Sequence, residues 1–586
     1  MASPISRRDF LIMSAKGAGA AVVSYGLMGC GSAIEPEIPV EFTHGVASGD
    51  PLADAVILWT RVTPARTGNI KVAWEIATDI DFANIISNGN TTTNASRDYT
   101  VKVDAIGLEA GQHYYYRFIS AGTLSAIGKT KTLVQGSPAS VKLAVMSCSN
   151  YPAGYFNVYD LATQHEDIDA VLHLGDYIYE YPRGGYASEQ AEQLNRQVLP
   201  EGELFSLDDY RTRYAQYHGD SSLQKLHAMV PFITVWDDHE VANDTWRDGA
   251  ENHQAGEGDF EQRKNDALQA YFEWLPIRPW SEGNHQEIYR SFKFGDLVDL
   301  HMLDTRVIAR DKQLNIADYV DSSTDSFNDT AFHADQNDPN RSMLGAEQLQ
   351  WLQDSVSNTS GRWQVLGQQV LMGEMYLPGA VALNLMSIQQ YAELGALAQL
   401  AGRAQAADPT LTADELSYLA ANQDKLTPEV IAQLQLPNVP YNLDAWDGYA
   451  NEREILLQSF KAQGKNLVVL AGDTHNAWAS ELAEKSGQVV GVEFATSSVS
   501  SPGLEYYLGI DATAAPAAEA GIVSLIDGLK YMNILNRGFL TVTFTQQSAK
   551  ADWYFVDTIL STNYQELGSR RASATSIAGA PAVSLS

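Results

Sequence analysis

The sequence predicts a layered α/β domain preceded by an all-β domain, and three observations carry that prediction. From Val141 onward, short apolar runs alternate with helical stretches, the grammar of a sheet covered by helices. Residues 42–135 instead show short β-branched and aromatic runs separated by Gly, Asn and Asp. At 586 residues the chain also exceeds what one ordinary core organises, so several domains or large insertions are expected.

The chain opens on Ser6-Arg7-Arg8-Asp9-Phe10-Leu11, a twin-arginine signature followed by a small-residue apolar stretch from Ala18 to Gly29. Residues 1–29 therefore read as a twin-arginine signal peptide. That implies export in the folded state by the twin-arginine translocation machinery, to a periplasmic or extracytoplasmic location. Leu27-Met28-Gly29-Cys30 resembles a lipoprotein cleavage box, which leaves acylation of Cys30 and simple cleavage nearby as alternatives. Either way Cys148 becomes the lone cysteine, and an unpaired thiol in an oxidising compartment needs a reason.

After a short Pro/Glu-rich linker at 33–40, Val56–Trp59 and Val72–Ile76 are strand candidates of the first domain, 42–135. Leu108–Phe118 reads as a turn feeding an aromatic strand, similar to the tyrosine corner of immunoglobulin-like sandwiches, with packing as the plain role of its tyrosines. Gly136-Ser137-Pro138 marks a boundary. In the second domain, 140–567, apolar strands are expected at 141–147, 170–175, 231–236, 296–303, 363–370 and 466–471, with a helix from Asn265 to Trp274. Residues 309–345, rich in Asp, Asn and Ser, read as a solvated loop. Residues 380–437 read as a helical insertion, with a Thr412/Glu415 capping box and Thr427 capping before Pro428. The Ser/Ala-rich tail, 568–586, reads as flexible.

A formal charge of −33 argues against a stable nucleic-acid complex or an anionic membrane as partner. No internal stretch reaches the roughly 20 apolar residues that span a bilayer, so membrane contact is expected only through a lipid anchor at Cys30.

Four strand ends carry chemistry. The first runs into Ser147-Cys148-Ser149-Asn150, the second delivers Asp176 and Tyr179, the third ends in Asp237-Asp238-His239-Glu240, and the last in Asp473-Thr474-His475. Singly, each has a plain explanation as a cap, a small core residue or a packed aromatic. Together they place carboxylates and histidines at one edge of one sheet, where ligands gather in this architecture. A two-metal site pivoting on Asp176 is the expectation. Asn265 and Asp266 read as an ordinary helix start.

The chain resembles the alkaline phosphatase D (PhoD-like) family of metallophosphoesterases over nearly its whole length after the signal. The matching motifs are Phe42-Thr-His-Gly-Val-Ala-Ser-Gly-Asp-Pro51, Gly175-Asp-Tyr-Ile-Tyr-Glu-Tyr181, Trp236-Asp-Asp-His-Glu240, Leu303-Asp-Thr-Arg306, Trp446-Asp-Gly-Tyr449, Gly472-Asp-Thr-His475 and Ser498-Val-Ser-Ser-Pro-Gly503. The resemblance implies a four-layer fold, a β-sandwich flanked by helices, behind an immunoglobulin/fibronectin-like all-β domain. It also implies hydrolysis of small phosphate mono- and diesters at a site of Fe(III) and Ca(II).

Residue chemistry agrees with that division. Where wider metallophosphoesterases use Asn-His and His-x-His, this chain has Asp238-His239 and Asp473-x-His475. Asp176, Asp238 and Asp473 make a carboxylate half suited to calcium. Cys148, Tyr179 and His475, sharing Asp176, make a softer half suited to iron(III), which gives the thiol its reason to stay unpaired. His239 is the expected general acid, or an orienter of Asp238, and Arg306 is expected to bind substrate phosphate or to pair with a carboxylate. Two rival readings are a phospholipase D-like phosphodiesterase acting on phospholipids and a non-catalytic surface binding protein.

Overall fold

The computed structural model describes residues 37–586, apart from 280, 282, 322–325 and 384. The twin-arginine signature and Cys30 lie outside the described residues.

Two mixed sheets dominate. Val141–Met146, Ala170–His173 and Phe232–Thr234 pair in parallel, as expected of short strands buried on both faces. Around them a ten-stranded sheet runs in spatial order from Ala580–Leu585 through Ala572–Ile577, Ser548–Phe555 and Gly538–Phe544 to these three, then Val46–Gly49, Ala55–Arg61 and Thr100–Ile106. The second sheet has seven strands, with Val298–Met302, Trp363–Gly367, Asn466–Ala471 and Val489–Ala495 in parallel at its centre. Val145, Leu172 and Ile233 of the first sheet share one apolar core with Val365, Val468 and Phe494 of the second. Trp553 and Trp363 stitch the two together, donating their indole N–H groups to the carbonyls of Ala495 (3.0 Å) and Thr545 (2.7 Å). Helices Asn157–Ala162, Ser221–Met229 and Phe260–Trp274 pack on the first sheet, and Ala450–Gln463 and Ala515–Leu525 on the second. The order of layers is helix, sheet, sheet, helix.

The amino-terminal region differs from a free-standing sandwich. Its five-stranded sheet, with Ile70–Ala77 and His113–Ser120 at the centre, encloses a core of Val56, Leu58, Val72, Ile76, Tyr116 and Phe118. The opposite wall is Val46–Gly49, Ala55–Arg61 and Thr100–Ile106, and these strands belong to the ten-stranded sheet of the larger domain. The two domains thus share a sheet, because Phe232 pairs directly with Gly49. The tyrosine corner is present: the Tyr114 hydroxyl accepts from the Glu109 N–H at 2.9 Å.

The tail corrects the sequence reading. Residues 572–577 and 580–585 are strands at the sheet edge, not a flexible end. Backbone pairing of 572–577 with Ser548–Phe555, and of 580–585 with 572–577, orders them, with small Ala574 and Ser576 turned inward, so composition alone misleads. In the insertion, both expected caps form, Thr412 with Glu415 and Thr427 before Pro428. Residues 309–345 include the helix Asp329–Gln336, capped by Asn328, which a purely solvated loop would lack.

Candidate metal centre

Four strand ends meet where the two sheets face each other. Strands 141–146, 170–173 and 232–234 come from one sheet, and strand 466–471 from the other. Each chain turns sharply on leaving its strand. Cys148, Asp176, Asp473 and His475 all have positive φ, at 62°, 53°, 64° and 64°. A non-glycine residue in that region costs on the order of 1–3 kcal/mol, so the surroundings must impose it. They do so with backbone hydrogen bonds. Cys148 N–H donates to the Gly175 carbonyl (3.2 Å), Ser149 N–H to that of Asp176 (2.8 Å), and Ser500 and Ser501 N–H both to that of Cys148 (3.3 Å). Gly175 (φ 106°) has no room for a Cβ, which would lie 2.4 Å from the Asp237 backbone nitrogen. That close approach brings the Asp176 and Asp237 turns together.

Glu240 locks the same two turns. Its buried carboxylate accepts from the N–H groups of Asp176 (3.0 Å), Tyr177 (2.5 Å) and Asp237 (2.6 Å). Gln369 performs the matching task from the second sheet, donating to the carbonyls of Trp236 (2.6 Å) and Leu303 (3.1 Å). The candidate ligands therefore stand on a framework of backbone bonds rather than on mobile loops.

Every predicted ligand reaches the centre. Donor atoms of Cys148, Asp176 and His475 lie within 4.8 Å of one another, as do those of Asp176, Asp238 and His239, and those of Asp237, Asp238 and Asp473. Asp176 belongs to two of these groups and stands between them. The Tyr179 hydroxyl donates to Asp176 Oδ2 at 3.0 Å and lies 3.2 Å from His475 Nε2, while Ser501 Oγ donates to it at 2.7 Å. His475 Nδ1 is fixed by the Pro502 carbonyl at 2.6 Å, which leaves Nε2 facing Asp176.

His239 is held from behind. Its Nδ1 lies 2.8 Å from the buried Glu180 carboxylate, and its ring lies 4.3 Å from that of Tyr179. Glu180 also accepts from Asn243 N–H and Asn252 Nδ2, both at 2.8 Å. Burial opposes its charge, yet His239 and these donors keep its carboxyl below the usual range. Nε2 is left as the free ring nitrogen.

Arg306 corrects its sequence assignment as a phosphate ligand. The side chain is fully buried beneath the site and meets Asp237 (2.5 Å), Asp444 (2.6 Å), Asp473 (3.1 Å) and Asp238 (3.5 Å). With its guanidinium engaged by four carboxylates, it has no face for a substrate. The alternative of pairing is what the chain adopts. Asp237, Asp444, Glu180 and Glu240 are site components that sequence reasoning missed. Asp237 precedes a stronger candidate in the same run, and the signal for Asp444 is only its place three residues before Asp447. Asp266 accepts from Leu207 N–H at 3.2 Å, a structural contact.

The electrostatics test whether a cation fits. Burial, then the neighbouring carboxylates Asp176, Asp237 and Asp473, push the Cys148 thiol well up. Burial followed by Asp176 and Cys148 does the same to the Tyr179 phenol. Asp237 and Asp473 are also pushed well up by burial, which Arg306 only partly offsets. Asp238 is driven down, to about 2, because Arg306 and His239 outweigh its burial. Oδ1 of Asp176, Oδ1 of Asp238 and Oδ2 of Asp237 are buried without a hydrogen-bond partner. A thiol, a phenol and four carboxylates thus converge with a single guanidinium among them, and three of the carboxylate oxygens lack a hydrogen-bond partner. Metal cations fit that arrangement, since they let these groups ionise together.

Comparisons with known proteins agree with the geometry. Residues 143–553 match the family model "PhoD-like phosphatase", and residues 29–134 match "PhoD-like phosphatase, N-terminal domain". Alkaline phosphatase D of Bacillus subtilis (strain 168) is 32% identical over 568 residues, covering 92% of this chain and 83% of that protein. A solved structure of PhoD superposes with a TM-score of 0.73 at 29% identity, covering 95% of this chain and 93% of the other. With the matching model spanning most of the chain and a relative 32% identical over 92% of it, the chain belongs to the PhoD-like phosphatase family.

Proposed function

We propose that the chain is an exported, metal-dependent hydrolase of phosphate mono- and diesters. Cys148, Tyr179 and His475 would hold Fe(III), Asp238 and Asp473 would hold Ca(II), and Asp176 would serve both. The observation that carries this reading is the unequal donor set around one shared carboxylate. Thiolate, phenolate and imidazole suit a trivalent iron, and carboxylates alone suit calcium. Bound there, the cations would neutralise phosphoryl charge and acidify the attacking water.

The chain's own residues do the rest. Glu180 holds His239 through Nδ1, so that Nε2 faces the centre and passes a proton to the departing alkoxide. Arg306 keeps Asp237, Asp238 and Asp473 from repelling one another. Ser501 orients the Tyr179 hydroxyl. Export by the twin-arginine route is consistent with a cofactor installed before translocation, with acylation or cleavage at Cys30 completing delivery to the periplasm.

A phospholipase D-like reading has one observation in its favour. Tyr506, Tyr507 and Leu508, on a short helix beside the centre, are 50%, 67% and 45% exposed. Rates on nitrophenyl phosphate, bis-nitrophenyl phosphate and phosphatidylcholine test the proposal. Hydrolysis of the first two that is lost on chelation is expected, and turnover of phosphatidylcholine alone would favour the lipid reading. His239→Ala should cost about 10²–10⁴-fold on alkyl esters and less on nitrophenyl esters. Equal losses on both would leave His239 an orienting role only.

A further inference from the structure

A cavity of about 120 Å³ opens over the metal centre, and its lining is unevenly divided. The floor is acidic, formed by Asp176, Asp238 and Asp473 with Asp244 beside them. One wall is aromatic. The His239 ring lies 5.3 Å from that of Tyr181, Tyr181 lies 5.9 Å from Tyr186, and Tyr507 closes the row. Tyr507 belongs to the helix Leu504–Leu508, just after Pro502, whose carbonyl accepts from the Tyr186 hydroxyl at 2.6 Å. Neighbouring Tyr506 is engaged elsewhere, donating to Glu189 at 2.8 Å. Among the described residues, no Lys or Arg lines the cavity.

These facts bear on substrate choice. A tyrosine two-thirds exposed gains little from burial, so core packing does not account for its place at the mouth. Its ring offers a flat face that stacks on planar groups and covers apolar ones. With no cationic side chain in the lining, phosphoryl charge is met by the centre itself. Discrimination among esters then falls to whatever lies beyond phosphorus, and His239 in the same wall marks the side on which the alcohol departs.

We propose that Tyr507, with Tyr181 and Tyr186, forms a specificity wall that selects phosphate esters whose alcohol presents a flat or apolar face over esters of small polyols. The inference rests on the hydrolase reading above and adds the ester class. Direct titration of the full, metal-loaded protein with phenylphosphonate and methylphosphonate tests it, because the two share a head group and differ only in the flat substituent. The phenyl compound should bind about tenfold tighter. Tyr507→Ala should reduce that preference to roughly two- to threefold by weakening the phenyl compound alone. Tyr506→Ala should retain the full preference. Equal affinity for both compounds in the unaltered protein, or a preference untouched by Tyr507→Ala and by Tyr181→Ala, would overturn the wall and leave the hydrolase standing. Binding of neither, together with no hydrolysis of any ester, would overturn both.

Discussion

The two halves of the metal centre are built on different physical principles. On the carboxylate side, Asp237, Asp238 and Asp473 converge over a buried Arg306, so the polypeptide supplies part of the countercharge itself. On the other side, the side-chain donor atoms of Cys148, Tyr179 and His475 have no Lys or Arg among their hydrogen-bond partners within the described residues, and lean on Ser147, Ser501 and the Pro502 carbonyl. One half has a guanidinium built in among its carboxylates. The other has a thiol and a phenol that burial and nearby carboxylates hold against ionising. Asp176 joins them. On the proposed assignment, the countercharge supplied to one set of donors, as well as donor identity, would bias the two halves toward different metals.

The sharpest way to break this comparison is to remove the residue both halves use. Asp176→Ala should lower hydrolysis by about 10³-fold or more, since both cations lose a ligand worth several kcal/mol of transition-state stabilisation. A loss confined to one metal, with activity retained, would deny the shared role. Next comes the residue unique to the carboxylate half. Arg306→Leu should destabilise the metal-free protein by about 3–5 kcal/mol, because Asp237, Asp238 and Asp473 lose their countercharge while Asp444 keeps Arg310. Added calcium should recover part of that loss in a thermal melt. An unchanged melting temperature would show that the ion network is dispensable.

Cys148→Ser addresses the opposite half. It should reduce hydrolysis by about 10- to 100-fold and bleach absorbance arising from thiolate or phenolate bound to iron, with little change in calcium content. Unchanged colour and rate would remove Cys148 from the site. A separate, pH-dependent effect concerns the buried histidines beside Tyr177 and Tyr159. There the Tyr177 hydroxyl lies 3.0 Å from His218 and 2.9 Å from His227, and Tyr159 bonds His173 at 2.9 Å. Burial pushes His173 and His227 down to about 3. A depressed histidine folds neutral. Its contribution is therefore complete above the ordinary value near 6.5 and is lost as pH falls toward 3. Unfolding free energies should fall by up to about 1.4 kcal/mol per pH unit for each such histidine as pH drops below 6.5 toward 4. His227→Phe should flatten the slope, and an unaltered slope would exclude that residue as its source.

Much of this was legible in the sequence, for identifiable reasons. Strand ends such as Gly175-Asp176 and Gly472-Asp473 announce themselves, because an apolar run stops at glycine and a ligand type follows. The caps at Thr412 and Thr427 are local chemistry and form as written. What the sequence hid depends on long-range contact. Arg306 after a strand looks equally suited to a phosphate or to a carboxylate, and only the fold shows it sealed under four acids. Glu240 and Glu180 are ordinary letters in their motifs until one clamps two turns and the other holds His239. The edge strands at 572–585 and the shared sheet at Gly49 owe their existence to backbone pairing, which composition does not record.

Metal analysis of protein isolated after export with its signal intact tests the central claim most directly. The account predicts iron and calcium together, with iron lost from Cys148→Ser and calcium lost from Asp473→Ala. Full activity with zinc or magnesium alone would contradict it.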